Sequence, residues 1–67
     1  MRRVVAEPRW DVGCHDLFGR DRALTVLVDR GRVVLVPPAG ASAVLSAQQT
    51  NRLRLALDQA EDRASEP

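Results

Sequence analysis

The chain has 67 residues and is almost neutral, with ten basic side chains, all of them arginine, against nine acidic ones and a net charge of +1. A charge this close to zero gives no reason to expect strong binding to nucleic acid or to an anionic membrane. The length predicts a single domain over residues 1–67. Domains of this size are marginal without a disulfide, a structural metal or oligomerisation.

The cysteine content and the first residues bear on the compartment. The single cysteine, Cys14, excludes an intrachain disulfide and is compatible with a reducing cytosol. The opening MRRVVAEPRW has an apolar run of only three residues before Glu7 and Pro8. That run is too short for a secretory signal, and no stretch of the chain reaches membrane-spanning length. We therefore expect a soluble, cytoplasmic protein.

Residues 1–23 show the least regular pattern, so we expect an irregular N-terminal segment, with residues 4–6 as a candidate short strand. Pro8 would end that strand because proline donates no hydrogen bond to a sheet ladder. Trp10 and Val12 alternate like strand residues, but residues 9–22 have no clean period. Two further apolar residues are interpreted as loop anchors: Leu17 and Phe18.

A hairpin is predicted over residues 24–36. Arg30-Gly31 separates two runs rich in valine and leucine, and glycine supplies the positive φ that a two-residue hairpin turn needs. The predicted register pairs Val28 with Val33, Leu27 with Val34, and Val26 with Leu35.

Both faces of this hairpin are apolar. One face carries Leu24, Val26, Val28, Val33 and Leu35, and the other carries Thr25, Leu27, Val34 and Val36 beside Asp29 and Arg32. Antiparallel sheets with one solvated face normally alternate apolar with polar residues, and this hairpin scarcely does. We therefore expect both faces to be covered.

A helix is predicted over residues 46–63, followed by a frayed tail over residues 64–67. Ser46 and Gln49 form a capping-box pattern. Residues 43–45, after the strand-ending prolines, are a candidate third strand. One apolar stripe follows the helical period: Thr50, Leu53, Leu57, Ala60 and Ala64. Leu55 points away from that stripe.

These elements predict a small α+β domain, in which an antiparallel hairpin or three-stranded sheet packs against one C-terminal helix. One helix can cover one face of the hairpin. The other face needs the N-terminal segment or a second copy of the chain, and we favour a homodimer. The residues expected at its interface are Leu27, Val34, Val36 and Leu55.

Cys14, His15 and Asp16 are the strongest candidates for reactive chemistry, and their spacing is unfavourable. A Cys/His pair needs the base within hydrogen-bond reach of sulfur, but adjacent residues of an extended chain point to opposite sides. Zinc needs four ligands, and one Cys and one His supply two. Phosphate-loop and metalloprotease motifs are also missing from the sequence. We therefore predict no enzyme, no catalytic residue, no metal and no cofactor.

A basic rim around the hairpin suggests an alternative, a small dimeric DNA-binding protein. Its arginines are Arg20, Arg22, Arg30 and Arg32, a residue type suited to phosphate contacts. Asp21 and Asp29 weaken the positive field, and no aromatic residue lies between the arginines for base stacking. We rank nucleic-acid binding below protein binding.

Two sequence stretches resemble known families. The stretch VDRGRVVLVP resembles the start of the AbrB/MazE-type swapped-hairpin barrel, a DNA-binding dimer, but the resemblance ends at Pro37. Residues 31–60, GRVVLVPPAGASAVLSAQQTNRLRLALDQA, are similar to small actinobacterial proteins, many of them encoded beside helix-turn-helix regulators. That similarity implies a hairpin-plus-helix module with a regulatory or interaction role, and it carries over no catalytic residue.

From the residues and the resemblance together we expect a non-enzymatic protein-interaction module. Its partners would be a second copy of the chain and a regulatory protein, such as a transcription regulator to which it is an accessory.

Overall fold

The computed structural model describes residues 8–66. Strand-forming runs and one capped amphipathic helix make up this part of the chain. An antiparallel sheet in the order β1-β2-β3 packs against one helix, which confirms the predicted α+β class. The elements are β1 (Arg9–His15), β2 (Asp21–Asp29), β3 (Arg32–Val36) and α1 (Ala47–Ala64).

The hairpin between β2 and β3 has the predicted register, with Val28 opposite Val33 and Leu27 opposite Val34. At its turn, Arg30 has φ +55° and Gly31 has φ +73°. Two consecutive positive φ values are the type I′ geometry, whose twist matches that of the flanking strands. This geometry is unusual for arginine, because an L side chain is disfavoured in the left-handed region.

The strand that joins the hairpin in the sheet, β1, lies in a segment that the sequence predicted to be irregular. β1 pairs with β2 along its whole length, from Arg9 opposite Leu27 to His15 opposite Asp21. The prediction was wrong because polar and glycine positions within β1 mask a short apolar alternation that only the pairing with β2 stabilises. The short strand suggested at residues 4–6 lies outside the described residues.

Residues 43–45 do not form the suggested third strand. Val44 instead makes a single antiparallel bridge with His15, in which each backbone amide donates to the other residue's carbonyl, at 2.8 and 2.7 Å. The bridge ties the loop after β3 to the outer edge of β1.

The capping box at Ser46 is confirmed. The Gln49 amide donates to Ser46 Oγ at 3.1 Å, and the Ser46 amide donates to Gln49 Oε1 at 2.9 Å. Leu53, Leu57 and Ala64 pack against the core as predicted. Thr50 was expected in the same stripe but is exposed, and its hydroxyl donates to the Ser46 carbonyl at 2.8 Å.

The core lies between α1 and one face of the sheet, which we call the covered face. Strand residues on this face are Trp10, Val12, Cys14, Leu24, Val26, Val28, Val33 and Leu35. Ala56 and Ala60 are the buried helix residues, and their small side chains let the helix approach the strands closely. The opposite face, called the open face, carries Arg9, Asp11, Thr25, Leu27, Val34 and Val36.

The helix crosses the sheet diagonally. Near its start, Nε2 of Gln49 would lie 3.7 Å from a Cβ placed on Gly13 of β1. Near its end, the Ala64 carbonyl would lie 3.6 Å from a Cβ on Gly31, in the hairpin turn. The far end of β3, around Leu35, is therefore covered least. Among the described residues, no helix is both long and apolar enough to cross a lipid bilayer.

Candidate interaction site

The connection between β1 and β2 is a tight turn with a recognisable local cause. Asp16 begins it, and the Gly19 amide donates to the Asp16 carbonyl at 3.0 Å. Aspartate at the first position and glycine at the fourth are the preferred residues of a β-turn. Gly19 has φ +82°, which a larger residue would adopt only with strain.

The Asp16 carboxylate holds this turn from inside. Its Oδ1 accepts hydrogen bonds from the backbone amides of Phe18 at 2.8 Å and Arg20 at 2.9 Å. Its Oδ2 accepts from Nε of Arg20 at 2.8 Å and pairs with the Arg22 guanidinium at 3.4 Å. The residue is 8% exposed, so these contacts satisfy a nearly buried charge.

These contacts also stabilise the ionised form of the group. The hydrogen bond from the Arg20 amide is the largest cause that lowers the pKa of Asp16 below its ordinary value. The Arg20 side chain, the Phe18 amide and the Arg22 charge act in the same direction, and partial burial opposes them. The turn is therefore held by a carboxylate that remains charged at neutral pH.

Two large apolar side chains project from this turn into solvent. Leu17 is 74% exposed and Phe18 is 82% exposed. The sequence prediction that they anchor the loop is wrong, because the Asp16 carboxylate anchors it instead. The Arg20 guanidinium lies 5.4 Å from the centroid of the Phe18 ring, within cation–π range.

A shallow groove of about 190 Å³ lies beside the turn. One wall is the turn itself, and the other is formed by Ala39, Gly40 and Ser42 of the loop after β3. Positive φ values at Gly40 and Ala41 give that loop its shape. We call the turn and this groove together the turn site.

The four residues expected at an interface do not lie on one surface. Leu27, Val34 and Val36 are neighbours on the open face, as the register predicted. Leu55 is 53% exposed on α1, which packs on the other side of the sheet. It lines a separate shallow depression with Trp10, at the β1 edge.

The β1 side of the open face is polar. The Thr25 hydroxyl donates to Asp11 Oδ1 at 2.7 Å, and the Arg9 guanidinium donates to the same oxygen at 3.1 Å. The hydrogen bond from Thr25 is the largest cause that lowers the pKa of Asp11, and the hydrogen bond from Arg9 is the second. Only the β2–β3 side of this face is apolar.

The four rim arginines lie at opposite ends of β2. Arg20 and Arg22 pair with Asp16 at the turn site. Arg30 and Arg32 lie at the hairpin turn, where Arg32 is opposite Asp29. Arg22 and Arg30 are eight positions apart along the chain, about 26 Å at the usual rise, so the four side chains do not form one continuous rim.

Cys14 and His15 point away from each other, as expected for adjacent strand residues. Cys14 is 1% exposed in the core, whereas Nε2 of His15 lies 3.2 Å from the Asp21 carboxylate. Within residues 8–66, no cluster of three or more His, Cys, Asp or Glu side chains has an arrangement that could hold a metal ion.

Sequence reasoning missed the turn site, although a signal for it was present. The stretch Asp16-Leu17-Phe18-Gly19 has the aspartate and glycine of a β-turn, and the central positions of such a turn face solvent. Two bulky apolar residues at those positions indicate a presented surface. Comparisons of the chain with protein-family models, curated proteins and solved structures found no match.

Proposed function

We propose that this chain is a non-enzymatic protein-interaction module that acts in the cytoplasm as an accessory to a transcription regulator. The observation that carries the proposal is the exposure of Leu17 and Phe18 on a turn held by Asp16. Single exposed apolar residues are common on protein surfaces. Two adjacent ones on a tightly bonded turn, beside a groove, are typical of an interaction site.

The turn site has the chemistry of a binding hot spot. Aromatic and arginine side chains dominate such sites, and here the Arg20 guanidinium lies over the Phe18 ring. The Asp16 hydrogen bonds hold the backbone of the turn before any partner arrives. Binding then costs little additional conformational entropy, which favours affinity. The surface fits a protein partner with an apolar pocket that receives the Phe18 ring.

The regulatory part of the proposal is supported by the similarity of residues 31–60 to small proteins encoded beside helix-turn-helix regulators. A cytoplasmic location is compatible with Cys14, a free thiol buried in the core.

The test is affinity capture from an extract of the source organism, with the full chain immobilised and the retained proteins quantified by mass spectrometry. We expect the wild type to retain a DNA-binding regulator and the Phe18→Ala chain to lose it. Glu61→Ala is the matched control, because it changes an exposed helix residue away from the turn site.

A further variant tests whether binding needs the turn to be held in place as well as the two apolar side chains. Asp16→Ala leaves Leu17 and Phe18 in place but removes the acceptor that holds the turn, so retention should fall although both apolar side chains are still present. Circular dichroism checks that each variant remains folded. Equal retention by the wild type and by a Leu17→Ala, Phe18→Ala double variant would contradict the proposal.

A further inference from the structure

The outer edge of β3 presents backbone groups that are ready for pairing. The Val28 amide donates to the Pro8 carbonyl at 3.1 Å, on the β1 side of β2. Hydrogen-bonding directions alternate along an antiparallel strand, so Val28 and its partner Val33 form a non-hydrogen-bonded pair. The amides and carbonyls of Val33 and Leu35 therefore point away from β2. No strand within residues 8–66 pairs with them.

Arg32 and Pro37 flank this edge, but its central residues, Val33, Val34 and Leu35, carry no protection against pairing. Natural edge strands carry lysine, proline or a bulge that discourages contact with another strand. β3 has the sequence RVVLV and a continuous register with β2. Val33, Leu35 and Val36 are 38%, 51% and 44% exposed. The strand therefore offers both its edge and its apolar side chains.

We propose that two copies of the chain pair through β3, in antiparallel orientation about a two-fold axis at Val34, to form a continuous six-stranded sheet. In this register Val33 lies opposite Leu35 of the partner copy, and the two symmetric pairs make four backbone hydrogen bonds. Arg32, the charged residue of β3, lies opposite Val36 of the partner copy. No like charges face each other across the new ladder.

The diagonal helix explains why a second copy fits this edge. The end of α1 lies at the hairpin turn, near Val33, and leaves Leu35 more exposed. A two-fold axis perpendicular to the sheet keeps both helices on the same face and brings the partner's hairpin end beside Leu35. The end of the partner's helix then covers the corner that the first helix leaves open. The interface is self-complementary, as a two-fold dimer requires.

This interface differs from the one expected from the sequence. It uses the edge of β3 and the Leu35 corner of the covered face, and Leu27 in the central strand takes no part. The new ladder uses one strand of five residues from each copy, so the interface is small. We therefore expect dissociation in the micromolar range.

The first test measures mass by light scattering and sedimentation across the micromolar range. The wild type should approach twice its monomer mass of 7.4 kDa. Leu35→Pro removes an amide that faces the free edge and keeps the hydrogen bonds between β2 and β3, so this variant should remain monomeric. Leu27→Lys changes the open face only and should dimerise like the wild type. A wild type that stays monomeric overturns the proposal.

A second test gives the register and does not depend on the proline variant folding. Two-fold pairing brings the Cα atoms of position 34 within about 5 Å of each other, which permits a disulfide. Positions 27 lie about 14 Å apart, across three strand spacings. Mild oxidation should therefore cross-link Val34→Cys chains rapidly and Leu27→Cys chains slowly. Faster cross-linking at position 27 would show stacking through the open face and overturn the edge register.

The test uses purified protein and residues outside the turn site. Its failure would leave the capture experiment with Phe18→Ala unaffected, and the two proposals can be judged separately.

Discussion

The covered and open faces of the sheet are made by alternate residues of the same strands, yet they are stabilised differently. On the covered face, Val26 is fully buried beneath α1. On the open face, Leu27 is half-buried and its neighbours Asp11 and Thr25 bond to each other. One helix supplies one apolar cover, so the second face is left with polar contacts on its β1 side and partly exposed apolar side chains on its β2–β3 side. Apolar alternation alone does not distinguish these two situations.

The largest expected difference in stability is between variants of two neighbouring residues of β2. Val26→Ala removes buried apolar groups and leaves a cavity, which should reduce the free energy of unfolding by about 2.5 kcal/mol. Leu27→Ala removes a larger side chain but from the half-buried face, and should cost about 1 kcal/mol. Urea unfolding followed by circular dichroism measures both. Equal costs would show that the open face is covered as fully as the other.

A second comparison concerns the helix. Leu57 packs against the core and is half-buried, so Leu57→Ala should cost about 2 kcal/mol, near the lower limit for leucine truncation. Leu55 points outward, and Leu55→Ala should cost less than about 0.5 kcal/mol. The same urea titration applies. A larger loss for Leu55 than for Leu57 would contradict the observed orientation of α1.

Lowering the pH should destabilise the fold through polar contacts such as those of the open face, and not through the apolar core. Hydrogen bonds from Thr25 and Arg9 lower the pKa of Asp11 below its ordinary 3.8. This carboxylate therefore contributes stability at pH values above 3.8, and the contribution is lost as the pH falls through the lowered pKa. Asp16 acts in the same direction.

Thermal unfolding midpoints between about pH 2 and pH 7 measure this dependence. Asp11→Asn should flatten the acid side of the profile, because the variant has no carboxylate to protonate there. Asp58→Asn is the control, since Asp58 is exposed on α1. If the control flattened the profile equally, the Asp11 contacts would not be responsible.

The smallest expected effect is the binding of nucleic acid. The net charge of +1 and the separation of the rim arginines between two ends of β2 give no concentrated positive surface within the described residues 8–66. We expect no complex tighter than about micromolar at physiological salt. Fluorescence anisotropy with mixed duplexes and the promoter of the chain's own operon measures this. A nanomolar promoter complex, lost in an Arg30→Ala, Arg32→Ala variant, would make the hairpin end a DNA-reading element.

Features with a local cause were predictable from the sequence. Gly31 determined the hairpin turn and thus its register, and Ser46 with Gln49 determined the start of α1. These features depend on residues within a few positions of one another. Geometry over such short distances leaves few alternatives, so sequence patterns report it well.

Features that depend on distant partners were not predictable. β1 has a weak pattern of its own and exists because β2 supplies its hydrogen bonds. The Asp16 carboxylate holds the turn through the nearby amides of Phe18 and Arg20, but the exposure of Leu17 and Phe18 depends on which parts of the fold pack against the turn. The placement of Leu55 apart from Leu27 likewise depends on which face α1 covers.

The sequence by itself determined the elements, the hairpin register and the presence of more apolar strand surface than one helix can cover. Only the tertiary structure decided which face α1 covers, that its diagonal path exposes Leu35 at a free edge, and that Phe18 is presented. The physical reason is that element formation depends on local bonding and periodicity. The choice of covered surface depends instead on which distant side chains pack together with the least apolar area left in water.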